Sequence, residues 1–290
     1  MVMGGRRQVG STIKPFLYAL AMQNGMTPCT TLRNVQHSYG GWTPRNGSHA
    51  RYGQQVPLKW ALQHSNNWIS ASLITTLGPQ QFVGILHDFG LNNPDIDRNA
   101  TPVLSLGPCE VSVGEMVSAY TAFANGGVRC APLFVTKIED SHGNVIAKFQ
   151  PLMTEVISED NSYRMIDMMR AVIDGGTGSR LKGAYGMKGD ICGKTGTTNS
   201  NSDGWFIAFT PELVSGAWVG GEDRDIHFDS TSLGQGAAAA LPIWAYFMKK
   251  VYADHQLGYS DKPQFAIPKD FDFCSTSEDT DVNDIQEVYF

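Results

Sequence analysis

The chain has 290 residues, 42% of them hydrophobic, enough for one large domain or two interwoven lobes with a substantial core. Its formal charge is −6, but seven of the 28 acidic residues fall between Asp270 and Phe290, where no Lys or Arg occurs, and the other 21 are balanced by 22 basic residues. Without clustered Lys and Arg, a long apolar run or a His-x-x-x-His pair, the sequence gives no sign of a nucleic-acid footprint, a membrane span or a metal site.

In chain order, Phe16 to Met22 is almost wholly apolar and Gly25 follows, which predicts a helix buried on all sides with a glycine stop. Pro15 is tolerated only near a helix start, so the helix should begin near Ser11. Residues 26–56 are rich in Gly, Pro, Asn and aromatics and read as ordered loop. Helical patterns resume at Leu58–His64, Trp68–Leu77, Pro79–Phe89 and Val113–Ala124. Thr136–Glu139 and Val145–Phe149 flank Asp140-Ser141-His142-Gly143-Asn144, a hairpin signal. Ser162–Ile173 reads as a helix. Three strand-like runs follow, Ile191–Thr197, Gly204–Phe209 and Leu213–Val219, and Gln235–Tyr252 is an apolar helix with Pro242 as a kink or near-start. The fold class is therefore α+β, a mainly helical lobe followed by an antiparallel meander covered by helix. Residues 1–268 form the body, and the acidic segment 269–290 reads as a disordered tail. The five cysteines, Cys29, Cys109, Cys130, Cys192 and Cys274, are odd in number and lack short spacings, which argues against a disulfide framework.

Three short motifs stand in order: Ser11-Thr12-Ile13-Lys14, Ser65-Asn66-Asn67 and Lys194-Thr195-Gly196. Ser-x-x-Lys, Ser-x-Asn and Lys-Thr-Gly in this order are the constellation of serine enzymes that acylate themselves on β-lactams or D-alanyl peptides. On a helix, residues i and i+3 share a face, so Lys14 can reach the Ser11 hydroxyl. A serine hydroxyl needs a base, and a lysine serves if burial or a neighbouring cation such as Lys194 lowers its pKa. Ser65 and Asn67 fall between two helical segments, in a turn that could relay a proton and hold a substrate amide. Taken alone, the pair would equally be a turn and a helix cap, and for Asn66 the cap is the better reading. Lys194-Thr195-Gly196-Thr197 lies on an expected strand whose edge can bind an extended peptide. Gly196 allows close approach, and Thr195, Thr197 and the Lys194 charge suit a terminal carboxylate. The backbone N–H groups of Ser11 and Thr197 could form an oxyanion hole.

Several decoys are set aside. Ser179-Arg180-Leu181-Lys182 repeats Ser-x-x-Lys, but it sits in a glycine-rich turn with no Ser-x-Asn after it and before Lys194. Gly189 to Thr195 approaches a phosphate-binding loop but has three residues between its glycines, not four, and leads into strand. His64 reads as a packing residue and Cys192 as strand core.

With these motifs placed, the chain resembles the transpeptidase domain of class A penicillin-binding proteins. Arg7-Gln8-Val9-Gly10-Ser11 with Lys14-Pro15-Phe16 looks like that family's nucleophile segment. So do Leu104-Ser105-Leu106-Gly107, Ala122-Phe123-Ala124-Asn125-Gly126-Gly127 and Gly176-Thr177-Gly178. Most similar is Lys194-Thr195-Gly196-Thr197-Thr198-Asn199, followed by Asp203, Trp205-Phe206 and Thr210-Pro211. The resemblance runs from about Gly5 to Val251. It implies D,D-transpeptidation of peptidoglycan stem peptides by Ser11, Lys14, Ser65, Asn67 and Lys194, with Thr195, Gly196 and Thr197 binding substrate. It also implies penicillin acylation of the same serine, no cofactor, and a place outside the bacterial inner membrane. There an anchor and a glycosyltransferase domain, both missing here, would precede this segment. A serine β-lactamase, a D,D-carboxypeptidase or a non-catalytic β-lactam sensor would use the same motifs. Because the family places strands ahead of the nucleophile helix and only ten residues precede Ser11, the main sheet is expected to have three strands plus at most a short remnant, with an unpaired edge or an exposed apolar face.

Overall fold

The computed structural model describes residues 2–275. Its N-terminal half consists of β1 (Arg6–Gln8), α1 (Lys14–Gln23), β2 (Thr31–Arg33), β3 (Gln55–Pro57), α2 (Leu58–Gln63), α3 (Asn67–Leu77), α4 (Pro79–Asp88), α5 (Pro94–Arg98), β4 (Glu110–Ser112) and α6 (Val113–Ala124). Four short strands, β5 (Val128–Cys130), β6 (Lys137–Glu139), β7 (Val145–Lys148) and β8 (Met153–Glu155), lead to α7 (Glu159–Gly175) and α8 (Arg180–Gly183). The meander β9 (Cys192–Thr197), β10 (Asp203–Phe209) and β11 (Val214–Gly220) precedes α9 (Thr231–Gly234), α10 (Gly236–Ala239) and α11 (Leu241–Ala253).

The main sheet has three antiparallel strands in the order β11-β10-β9, as expected, and the short β1 pairs with β4 away from it. β10 is buried along its whole length and splits its side chains by the two-residue period. Trp205, Ile207 and Phe209 enter the large core shared with α1 and α6, while Phe206 and Ala208 pack against Leu241, Trp244 and Met248 of α11. Among the described residues β9 and β11 each leave one edge unpaired, which meets the expectation of an unpaired sheet edge, and the outer face of α11 leaves Ile243, Tyr246 and Phe247 roughly half exposed.

Helix α1 is buried from Lys14 to Met22, as its unbroken apolar run requires. Phe16 sits in an aromatic cluster with Phe89, Tyr120 and Phe123, with ring centroids 5.0–5.6 Å from it. Burying each such side chain stabilises the fold by about 1.5–3 kcal/mol. The segment expected to open this helix at Ser11 is a 3-10 turn, Gly10–Ile13, and regular helix begins at Lys14 with Pro15 in the first turn. In a 3-10 turn residues i and i+3 eclipse, so the change of helix type keeps Ser11 and Lys14 on one side. The apolar run at 235–252 breaks at Ala240 into α10 and α11, and Pro242 takes the first turn of α11. The hairpin at 136–149 forms, its turn tied by the Asp140 carboxylate accepting from the backbone N–H of His142 and Asn144.

The cysteine reading is corrected. Cys29 and Cys274, 245 residues apart, form a disulfide, while Cys109, Cys130 and Cys192 are free. Spacing reveals only local pairings; this one depends on the chain's end returning to the loop after α1. Residues 269–275, read as the start of a loose tail, are pinned there. Phe271 packs edge-on against Tyr163, and the Ser275 carbonyl accepts from Arg164. The rest of the acidic segment, 276–290, lies outside the described residues.

Candidate active site

The three motifs converge although they are carried by a 3-10 turn, an interhelical turn and a strand. Lys14 and Lys194 are both fully buried. Lys14 Nζ donates to Ser65 O (2.7 Å), Ser65 Oγ (3.2 Å) and Asn67 Oδ1 (2.6 Å). Lys194 Nζ donates to Ser65 Oγ (2.9 Å) and Thr195 O (3.0 Å). The Ser65 hydroxyl therefore bridges the two amines. Burial, and after it the charge of Lys194, holds Lys14 well below the ordinary lysine range. Burial brings Lys194 down to about 7. A lysine poised near neutrality can take and return a proton, which one at its ordinary pKa cannot do at physiological pH.

Local structure explains each position. Ser65 has φ +52, a left-handed conformation that is strained for serine, and its hydroxyl lies between the two lysine amines. Asn66 caps α3 by accepting from Ile69 N–H, as read from sequence, and also donates to Asn34. Asn67 Nδ2 donates to Arg45 O, and its backbone N–H to Asn46, so the 43–46 loop holds the Ser-x-Asn turn. On the third motif, β9 is an edge strand that among the described residues pairs only with β10. Thr195 Oγ1 lies 2.7 Å from Thr177 Oγ1 in the turn after α7.

Ser11 is partly exposed, and its hydroxyl has no hydrogen-bond partner among the described residues. The expected reach from Lys14 to Ser11 is not a formed hydrogen bond here, because Ser65 and Asn67 take the Lys14 donors. The hydroxyl opens into a cleft of about 640 Å³. It is lined by Gln8, Ser11, Trp42–Arg45, Asn67, Val103, Leu106–Pro108 and Thr197–Ser200. The cleft lining contains no carboxylate or imidazole.

Gly10 has φ +53, and a Cβ there would lie 2.6 Å from Thr197 O, so the backbone before Ser11 rests directly on the end of β9. Tyr120 Oη donates to Thr12 O (2.6 Å), fixing the same turn from below. The rejected residues stay outside. Lys182 pairs with Asp174, His64 stacks on Trp60, and burial pushes the Cys192 thiol well up, with Sγ on Ile166 O. Sequence reading did not foresee Thr177 against Thr195, or Trp42 and Arg45 at the cleft. The Gly-Thr-Gly turn at 176–178 was a signal for the first, but only folding brings that turn to β9.

Comparison with known proteins gives concordant matches. The profile of the penicillin binding protein transpeptidase domain matches residues 2–219. Penicillin-binding protein 1A of Neisseria lactamica is 34% identical over 259 residues, covering 84% of this chain and 31% of that protein. The chain thus spans about a third of the length of the curated relatives it matches. The crystal structure of penicillin-binding protein 1A from Haemophilus influenzae superposes with a TM-score of 0.79 at 28% identity, over 92% of this chain and 44% of that one. The imipenem acyl-enzyme complex of penicillin-binding protein A from M. tuberculosis shares the fold, with a TM-score of 0.70 at 21% identity over 86% of this chain and 61% of that one.

Proposed function

Since this chain belongs to the penicillin-binding protein transpeptidase family, we propose that it is the acyl-transfer unit of a serine D,D-transpeptidase acting on peptidoglycan stem peptides. Ser11 Oγ attacks the amide carbonyl between two terminal D-alanines, and its proton passes to Lys14. The tetrahedral oxyanion is held by the N–H groups of Ser11 and Thr197. Collapse breaks the C–N bond, and the Lys14–Ser65 hydrogen bond supplies the route by which the proton reaches the departing D-alanine amine. An amine of a neighbouring stem then attacks the acyl-Ser11 ester and restores the hydroxyl. Lys194, Thr195 and Thr197 hold the terminal carboxylate, and Asn67 the peptide amide. A β-lactam mimics the D-alanyl amide and acylates the same serine. No helix of the described residues is long and apolar enough to cross a membrane; work on peptidoglycan would place this segment outside the inner membrane, anchored through another part of the protein.

The observation that carries this reading is the continuous hydrogen-bonded run from Lys194 through Ser65 to Lys14, both lysines being buried and lowered. A β-lactamase or D,D-carboxypeptidase would need a base to activate water on the acyl-enzyme. A cleft lining without carboxylate or imidazole favours a long-lived acyl-enzyme instead. Labelling with fluorescent penicillin tests the proposal. The wild-type chain should form a stable adduct, Ser11→Ala none, and Ser179→Ala the wild-type amount. Equal labelling of wild type and Ser11→Ala would refute Ser11 as nucleophile.

A further inference from the structure

The side chain of Asp203, at the start of β10, has no solvent exposure and takes four donors from four separate segments. Oδ1 accepts from Arg7 Nε (2.8 Å) and Trp218 Nε1 (3.1 Å); Oδ2 accepts from Thr198 Oγ1 (2.9 Å) and Arg224 Nη1 (3.0 Å). Arg7 lies in β1, four residues before Ser11. Thr198 follows Thr197 at the end of β9. The two backbones meant to embrace the oxyanion are therefore tied to opposite oxygens of one carboxylate. We propose that Asp203, with Arg7 and Arg224, is a positioning clamp that sets the separation between the Ser11 and Thr197 N–H groups. The proposal rests on the acylation reading above.

The surrounding geometry supports a role in placement. The Arg7 guanidinium also lies over the Trp218 ring at 5.0 Å and donates to Glu222 O. Trp205 Nε1 donates to Gln8 O (2.7 Å), a second stitch between the same two segments. The 198–203 turn contains Ser200 and Asn201 at φ +58 and +57, two successive left-handed residues that relax unless held. It is closed by Thr198 N donating to Asp203 O and by Asp203 N donating to Thr198 Oγ1. Thr198, Asn199 and Ser200 of this turn line the cleft, and Gly10 touches Thr197. An anion buried against two cations is strongly destabilised when one partner is removed, so the carboxylate responds sharply to change.

Asp203→Asn is compared with Asp190→Asn. Asp190 is also buried, at 7% exposure against 0% for Asp203, and bidentate with Arg170, but unlike Asp203 it is bonded to no residue that lines the cleft. Saturable acylation by a chromogenic β-lactam is measured with melting temperature and amide exchange. Asp203→Asn should lower the limiting acylation rate at least tenfold with little change in the half-saturating concentration, and speed exchange at residues 196–203. Asp190→Asn should lower the melting temperature similarly while leaving the limiting rate within twofold of wild type. Arg224→Gln removes a partly exposed donor and keeps the test open if Asp203→Asn does not fold; a three- to tenfold rate loss is expected. An unchanged limiting rate in the Asp203 or Arg224 variant, or equal rate losses in the Asp203 and Asp190 variants, would overturn the clamp. If the wild-type chain does not acylate, the functional reading fails instead. Amide exchange then judges the clamp alone, and unchanged protection at 196–203 in Asp203→Asn would refute it.

Discussion

Gly10→Ala tests the geometry around the proposed nucleophile most directly. At φ +53 an alanine suffers left-handed strain of about 1–2 kcal/mol. The added Cβ would sit 2.6 Å from Thr197 O, whereas ordinary contact begins at 3.4 Å, so the two backbones must separate by about 0.8 Å. Overpacking of this kind adds about 1–3 kcal/mol. A domain of this size loses about 2–4 °C per kcal/mol, so a melting-temperature drop on the order of 4–20 °C is expected. The displacement falls between the proposed oxyanion donors, where a shift near 1 Å is worth about 100-fold in rate. The assay is stopped-flow acylation by a chromogenic β-lactam beside thermal melting. Gly143→Ala is the control: its φ is +82, but nothing lies within 4 Å of the added Cβ. It should show the strain penalty alone and acylate normally. Gly10→Ala acylating at the wild-type rate would refute the idea that the contact between Gly10 and Thr197 sets the site.

Other outcomes follow from the same structure. The acylation rate should fall near pH 7 and above as Lys194 loses its charge, the lowered Lys14 amine serving as base without strong alkali. A rate that climbs steadily to pH 10 would exclude a charged Lys194. Because Lys194 is depressed on folding, the unfolded chain binds the extra proton between about 7 and 10.5, so its contribution to stability increases with pH across that window; Lys194→Met should flatten that slope in denaturant titrations. Thr195→Val removes the hydroxyl proposed to bind the substrate carboxylate, a bond worth about 1.5–3 kcal/mol to a charged group. It should cut the acylation preference for a penicillin over its methyl ester at least tenfold, and an unchanged preference would assign carboxylate binding elsewhere. Cys274→Ser should destabilise by about 2–4 kcal/mol with acylation intact. A wild-type melting curve unmoved by reductant would show that the disulfide is not formed in solution.

Most of the fold was legible because it rests on local periodicity. The all-apolar run of α1, the strand-like run of β10 and the hairpin at 136–149 each announce themselves within a few residues. The site residues were equally legible as motifs, since Ser-x-x-Lys, Ser-x-Asn and Lys-Thr-Gly carry residue types and order that the proposed chemistry demands. What the sequence by itself determined is thus the set of groups: Ser11, Ser65 and Asn67, two lysines and a Lys-Thr-Gly strand. Only the tertiary structure decided how they act on one another. Lys14 hydrogen-bonds Ser65 and Asn67, 51 and 53 residues away, and not Ser11 three residues away. Cys29 finds Cys274, and Asp203 joins Arg7 to Thr198. Local sequence signals reach about a turn of helix or a hairpin. Burial of a charge, and the pKa it produces, depends on what the whole chain packs around it.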